Sequence, residues 1–288
     1  MLLKKHTADS SNNEKAGMVN GDNKVEEIYM KPYKGYLLDL DGTIYRGHEA
    51  IPGAAEFVRY LKDKQIPYLF LTNNSSTSAV RVADRLTKMG IEAADSDVYT
   101  TSMATVQYLQ EQAPAGANVY AIGEEGLLTQ LAAAGYRLTE ANPDYVIVGI
   151  DRAFTYEKLA VAARAIRSGA TFIATNADAA LPTDAGLFPG NGSLVAAVSV
   201  ASATKPIVIG KPESIIVRYA LEVLGTKASE TLIVGDNLFT DIEAGANSGL
   251  DSLLVLTGYS TREEAASHKA KPTYVASDLP QWQLRISL

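Results

Sequence analysis

Residues 36–47 read YLLDLDGTIYRG. Tyr36, Leu37 and Leu38 open an apolar run suited to a strand buried on both faces. The run then places Asp39 and Asp41 two residues apart, directly before Gly42. That ending does not serve stability: like charges so close repel, and each loses hydration when half buried. Some bound group must offset the cost, and the rest of the chain indicates which.

Apolar runs of the same kind recur at 68–72 (YLFLT), 119–122 (VYAI), 145–150 (YVIVGI), 171–175 (TFIAT), 207–210 (IVIG), 231–236 (TLIVGD) and 252–256 (SLLVL). Amphipathic helical patterns separate them, at 54–64, 79–90, 124–136, 156–169 and 214–225, and several stop at glycine. The alternation predicts an α/β fold built on a doubly wound, largely parallel, Rossmann-like sheet. Ligands of such sheets sit beyond the carboxyl ends of the strands. Four strand ends deliver polar groups there: Asp39 with Asp41; Thr72, Asn73 and Asn74; Gly210 with Lys211; and Gly235 with Asp236.

Composition narrows the field. The chain has 288 residues, 47% of them apolar and 20% charged, enough for a sizeable core and, by length, two domains. A net charge of -7, with both signs spread along the chain, argues against a nucleic-acid partner. The absence of cysteine removes disulfides, thiolate catalysis and cysteine zinc sites. His6, His48 and His268 are too scattered for a histidine metal cluster or a Ser-His-Asp arrangement. No apolar run is long enough to span a bilayer, so no membrane partner is expected. Residues 1–30 are polar and lack the apolar centre of a signal peptide, and they read as a disordered tail on a soluble, cytoplasmic protein.

The strand-end residues share one chemistry. Asp39 is ionised at neutral pH and needs no base to act as a nucleophile. Facing a phosphate monoester it meets repulsion, which a divalent cation held between the two would remove. Asp236 can supply a second carboxylate to Mg²⁺, with backbone oxygen and water completing the shell. Asp241, about one helical turn on in GDNLFTD (235–241), can hold metal-bound water or orient its neighbours. Attack by Asp39 gives an acyl phosphate. Asp41 can protonate the leaving alkoxide and then deprotonate the water that cleaves the intermediate. The turn Asp41-Gly42-Thr43 offers backbone N–H groups to phosphoryl oxygens, and Gly42 permits close approach. Thr72 adds a hydroxyl donor and Lys211 a positive charge.

DLDGT (39–43), LTNNS (71–75), GKP (210–212) and GDNLFTD (235–241) resemble the four motifs of the haloacid-dehalogenase-like (HAD) phosphatases, over about 34–280. The resemblance implies Asp39 as nucleophile and Asp41 as general acid/base. It implies Gly42, Thr43, Thr72, Asn73, Asn74 and Lys211 around the phosphate. Mg²⁺ would be held by Asp39, Asp236 and the backbone carbonyl of Asp41, with Asn237 and Asp241 behind it. Thr72 and Lys211 are much further apart than a crossover requires, which places an inserted domain at 104–204 and leaves 31–103 and 205–288 as the core. GEEGL (123–127), VGIDRAFTYEKL (148–159) and FIATNADAALP (172–182) resemble the large α/β cap of the NagD-like (type IIA) branch. Members of that branch dephosphorylate nucleotides, sugar phosphates, pyridoxal phosphate or aryl phosphates, and are often dimers through the cap. A small phosphorylated metabolite and a second copy of the chain are therefore the expected partners. In the cap, Asn176 and Asp178 are expected to read the leaving group, although they suit a turn equally well.

Four alternatives stand beside this reading, one of them a catalytically idle binding protein, against which the intact motifs argue. An EF-hand needs glycine at its sixth position and glutamate at its twelfth, where this chain offers Gly42 fourth and Ala50 twelfth. A phospho-accepting receiver module has no inserted domain of this size. A phosphotransferase or mutase uses the same residues, and only its product distinguishes it.

Overall fold

The computed structural model describes residues 31–114, 116–183 and 186–287. The expected N-terminal tail, residues 1–30, lies outside them. Among the described residues the strands are, in chain order, β1 (Gly35–Leu38), β2 (Tyr45–Arg46), β3 (Glu49–Ala50), β4 (Tyr68–Thr72), β5 (Val98–Thr100), β6 (Asn118–Ile122), β7 (Arg137–Leu138) and β8 (Tyr145–Val148). They continue with β9 (Thr171–Ala174), β10 (Ala180–Thr183), β11 (Gly186–Pro189), β12 (Ile207–Val208), β13 (Thr231–Gly235), β14 (Asp251–Val255) and β15 (Tyr274–Ala276).

A six-stranded sheet has the order β15-β14-β13-β1-β4-β5, and a five-stranded sheet the order β12-β9-β8-β6-β7. Every pairing in both is parallel. Two antiparallel hairpins, β2–β3 and β10–β11, stand outside them. The α/β expectation therefore holds, and it holds for the expected reason: β1, β4 and β13 are buried along their whole length, as strands covered on both faces must be.

In the six-stranded sheet the chain leaves β1 toward β4 and β5, then returns on the other side of β1 as β13, β14 and β15. The direction of winding thus reverses between β1 and β13, and a crevice opens at their carboxyl ends. Leu38 pairs with Val234, so Asp39 and Gly235 leave the sheet side by side. One continuous apolar cluster joins the two sheets: it contains Leu37, Leu71 and Ile233 together with Leu127, Ile147 and Ile173.

Several helices escape the apolar-period reading, and the two longest are Thr101–Gln112 and Asn191–Ser202. The first buries three hydroxyls beside Ala104, Val106 and Leu109. Thr101 Oγ1 donates to Thr175 O, Ser102 Oγ to Ser75 O (3.1 Å) and Thr105 Oγ1 to Thr101 O (2.7 Å). Thr100 caps this helix by accepting from Met103 N, a contribution of about 1 kcal/mol. The helix packs where the loops of both sheets meet, so its buried face carries polar residues that bond those loops. Among the described residues no helix is long and apolar enough to cross a membrane.

Candidate active site

The turn after β1 is closed by its own backbone. Leu40 O accepts from Ile44 N (2.8 Å) and Tyr45 N (3.1 Å), and Gly42 N donates to Tyr45 O (2.8 Å). Thr43 N donates to Leu40 O (3.3 Å). The expectation that the N–H groups of Gly42 and Thr43 face a phosphate is therefore corrected: the turn folds back into the β2–β3 hairpin and uses them internally. Gly42 serves close approach of another kind. Its φ is +88°, and a β-carbon there would stand 2.3 Å from Asp236 Oδ2. Thr43 is fully buried, and its hydroxyl lies 3.4 Å from Asp236 Oδ1.

Asp236 is gripped from the end of β14 as well. Tyr259 N donates to its Oδ2 (2.6 Å) and Ser260 N to its carbonyl (3.0 Å), while Thr257 Oγ1 donates to Gly42 O (2.7 Å). Sequence reading missed this LTGYS segment (256–260), although it follows an apolar run and the strand-end rule would have flagged it.

Asn237 and Asp241 belong to a π-helical turn, Leu238–Ile242. The Asn237 side chain caps it, accepting from Phe239 N (2.9 Å). The turn swings the Asp241 carboxylate back over Gly235, where a β-carbon would lie 2.1 Å from its Cγ. Asp39, Asp236 and Asp241 thereby form an acidic cluster whose ligand atoms all lie within 4.8 Å of one another. Asp41 is not among these three.

Lys211 enters this cluster from the segment after β12. Its Nζ is 2.6 Å from Asp39 Oδ1, 2.6 Å from Asp241 Oδ1 and 3.2 Å from Leu71 O. The lysine is 2% exposed, Asp241 1% and Asp39 15%. Burial works against the lysine's charge, but Asp241 and Asp39 outweigh it and hold its pKa above the ordinary value. Burial, and then Asp241, lift Asp39 well above the carboxylate range against the pull of Lys211, with Asp236 adding to the rise. Asp236 is pushed up to about 7, first by burial and next by Asp241, against the Tyr259 N–H. Three carboxylates crowd around one lysine, and the raised pKa values of Asp39 and Asp236 express burial first and then this excess of negative charge. The donor set is all oxygen and strongly anionic, which suits a hard divalent cation such as Mg²⁺.

Asp41 stands at the mouth of the crevice with its side chain exposed to solvent. Burial of part of it raises its pKa, opposed by Arg85 and then Arg46. Both arginines are anchored: Arg46 donates to Thr257 O, and Arg85 donates to Gly47 O while its guanidinium lies 4.4 Å from the Tyr45 ring centre. Neither was singled out in the sequence, where each reads as a surface charge.

The residues after β4 divide by role. Thr72 Oγ1 is buried and accepts from Asn74 N (3.1 Å), which leaves its hydrogen free to donate. Asn74 Oδ1 accepts from Ser76 N and Ser76 Oγ (both 2.8 Å), the bonds of a turn former. The Asn73 side chain is taken up by Lys211 and Asp178, and Asn176 Nδ2 donates to Asn73 O (2.7 Å). Ser75, also missed, is fully buried and accepts from Ile150 N at its Oγ (3.2 Å). The loop after β4 thus seats itself against the carboxyl ends of the five-stranded sheet, and Asn176 and Asp178 both meet it there.

Comparison with known proteins agrees with this geometry. Residues 36–137 match the family model described as haloacid dehalogenase-like hydrolase, and residues 208–282 match a HAD-hydrolase-like model. The chain is 53% identical over 253 residues to 5'-nucleotidase YutF of Bacillus subtilis, covering 88% of this chain and 98% of that protein. It is 46% identical over 251 residues to an acid sugar phosphatase of Staphylococcus epidermidis, covering 87% and 96%. Among solved structures, NagD from E. coli K-12 superposes with a TM-score of 0.82 at 38% identity, over 86% of this chain and 98% of NagD. With its acidic cluster and lysine at the β1/β13 reversal and its second parallel sheet, the chain belongs to the haloacid-dehalogenase-like hydrolases, in their NagD-like branch.

Proposed function

We propose that this phosphoric monoester hydrolase cleaves small phosphate monoesters through a phosphoaspartate on Asp39, with a divalent cation, Mg²⁺, held by Asp39, Asp236 and Asp241. The observation that carries the reading is Lys211 bonded to both Asp39 and Asp241 at the point where the sheet reverses. A cation bound among the carboxylates neutralises the repulsion between them and an incoming phosphate dianion.

The chain's own residues account for the remaining steps. Lys211 holds one oxygen of Asp39 and leaves the other to attack phosphorus. Asp41 gives its proton to the departing alkoxide oxygen as the ester P–O bond breaks; partial burial raises its pKa, the direction a general acid needs. It then takes a proton from the water that attacks the phosphoaspartate, which returns Asp39 and releases phosphate. Thr72 Oγ offers a donor to the phosphoryl oxygens, and Lys211, whose three N–H groups go to Asp39, Asp241 and Leu71 O, offers its positive charge.

The segment about 104–204 is proposed to act as a cap over this crevice. The activities named for its relatives, a 5'-nucleotidase and an acid sugar phosphatase, support a leaving group that is a hydroxyl of a sugar or nucleoside. Asn176 and Asp178 bond to Asn73, and the exposed Leu187 and Phe188 of β11 are proposed to meet the leaving group. The test is phosphate release from nucleoside monophosphates, sugar phosphates and p-nitrophenyl phosphate, with Mg²⁺ and with chelator. Asp39→Asn should abolish turnover in a folded protein. Full activity in excess chelator would overturn the metal role, and wild-type turnover in Asp39→Asn the nucleophile.

A further inference from the structure

We propose that Asn73 is a positioning residue: its carboxamide fixes the main chain of Lys211 and makes that placement depend on Asp178 of the opposite sheet's loop. The inference rests on the reading of Lys211 and Asp39 as the phosphoryl-transfer site.

Asn73 Oδ1 accepts from Lys211 N (2.8 Å), and Asn73 Nδ2 donates to Lys211 O (2.9 Å). The two bonds dictate the orientation of the amide, since an N–H must meet the oxygen and a carbonyl must meet the nitrogen. The second hydrogen of Nδ2 goes to Asp178, whose two oxygens both lie at 3.1 Å. Both donors of Asn73 are therefore occupied, and neither is left for a phosphoryl oxygen. The packing has been cut to this arrangement. A β-carbon on Gly210 would stand 2.6 Å from Asn73 Oδ1 and 2.7 Å from Thr175 O, so a side chain at 210 would force the amide away. The loop carrying Asp178 is in turn fastened by Asn191, which donates to Asn176 O (2.7 Å), Thr175 Oγ1 (3.3 Å) and Val148 O (3.1 Å).

Lysine has a long, flexible stem, and a placed ammonium needs a placed root. The end of β4 supplies both: Leu71 O meets the tip of Lys211 and Asn73 holds its backbone. Misplacement of such a group by about 1 Å costs on the order of 10²-fold in rate. Asp178 pulls on the same amide, so movement of its loop is transmitted to Lys211 without any contact between the loop and the phosphate.

The test compares Asn73→Ala, Asn73→Asp, Asp178→Asn and the double variant Asn73→Asp/Asp178→Asn. The readouts are kcat and KM on p-nitrophenyl phosphate, the inhibition constant of inorganic phosphate, and Tm. Asn73→Ala should lower kcat by about 10- to 100-fold and weaken phosphate inhibition. Asn73→Asp keeps the acceptor for Lys211 N but repels Lys211 O and Asp178, and should fall at least as far. Adding Asp178→Asn to it supplies an amide donor to the new carboxylate and should recover about tenfold of the loss, a rescue that a packing role alone would not produce. Asn73→Ala with kcat and phosphate inhibition within about twofold of wild type would overturn the positioning role. A double variant no more active than Asn73→Asp would overturn the dependence on Asp178. Wild-type turnover in Lys211→Ala would instead overturn the site reading beneath both.

Discussion

Gly42 and Asp236 touch across the reversal of the sheet, so closely that a β-carbon on the glycine would lie 2.3 Å from the carboxylate oxygen. Gly42→Ala meets two penalties. One is a left-handed backbone, costing an L-residue about 1 kcal/mol, and the other is displacement of Asp236. The Mg²⁺ concentration for half-maximal activity should rise about tenfold or more, and Tm should fall by several degrees. Titration of turnover with Mg²⁺ checks this, and an unchanged midpoint would show that Asp236 does not set metal affinity.

Lys211→Met removes the cation shared by Asp39 and Asp241. Taking one partner from a buried ion pair costs about 3–5 kcal/mol, and the metal-free protein should lose that order of stability in urea unfolding at neutral pH. Mg²⁺ should restore part of it. A loss below about 1 kcal/mol would show that the carboxylates take up protons instead.

The pH dependence of the metal-free protein has a definite sign. Asp236 sits at about 7 and Asp39 is raised too, against an ordinary carboxylate value of about 4. Across that window the folded state binds more protons than the unfolded one. Stability is therefore greatest at the acid end and is lost as pH rises toward 7. With Mg²⁺ bound the carboxylates stay ionised and this fall should flatten. Melting curves at several pH values, with chelator and with Mg²⁺, test it, with Asp236→Asn as the control in which the slope should be smaller. A metal-free Tm that climbs through the window would contradict the argument.

Asp41→Asn should cost roughly 10²–10⁴ in rate on alkyl phosphates, the usual worth of general acid/base help. The loss should be smaller on p-nitrophenyl phosphate, whose leaving group needs little protonation. Equal losses on both ester types would remove the acid role from Asp41.

Much of this was legible in the chain. Continuous apolar runs forecast the parallel sheets, and polar strand ends named Asp39, Lys211 and Asp236, which the fold brings together. The helix at Thr101–Gln112 was not legible, because its buried face mixes Ala104, Val106 and Leu109 with hydroxyls that bond loops distant in sequence, which breaks the apolar period. Nor were the N–H groups of Gly42 and Thr43 read correctly. Glycine in a turn signals close approach, but the approaching group is the Asp236 carboxylate and not a ligand.

By itself the sequence determined the fold class and the chemical groups at the strand ends, since strand burial and strand termination are written in local patterns of residue type. Only the tertiary structure decided how those groups divide the work. Asn73 and Asn74 stand side by side in TNNS, yet one closes a local turn and the other joins Lys211 and Asp178, 138 and 105 positions away. Asp241 likewise reaches the carboxylate cluster only because a π-helical turn carries it back over Gly235. A side-chain amide has the same donors and acceptors wherever it lies; which partners they meet is settled when distant backbone is brought within 3 Å of them.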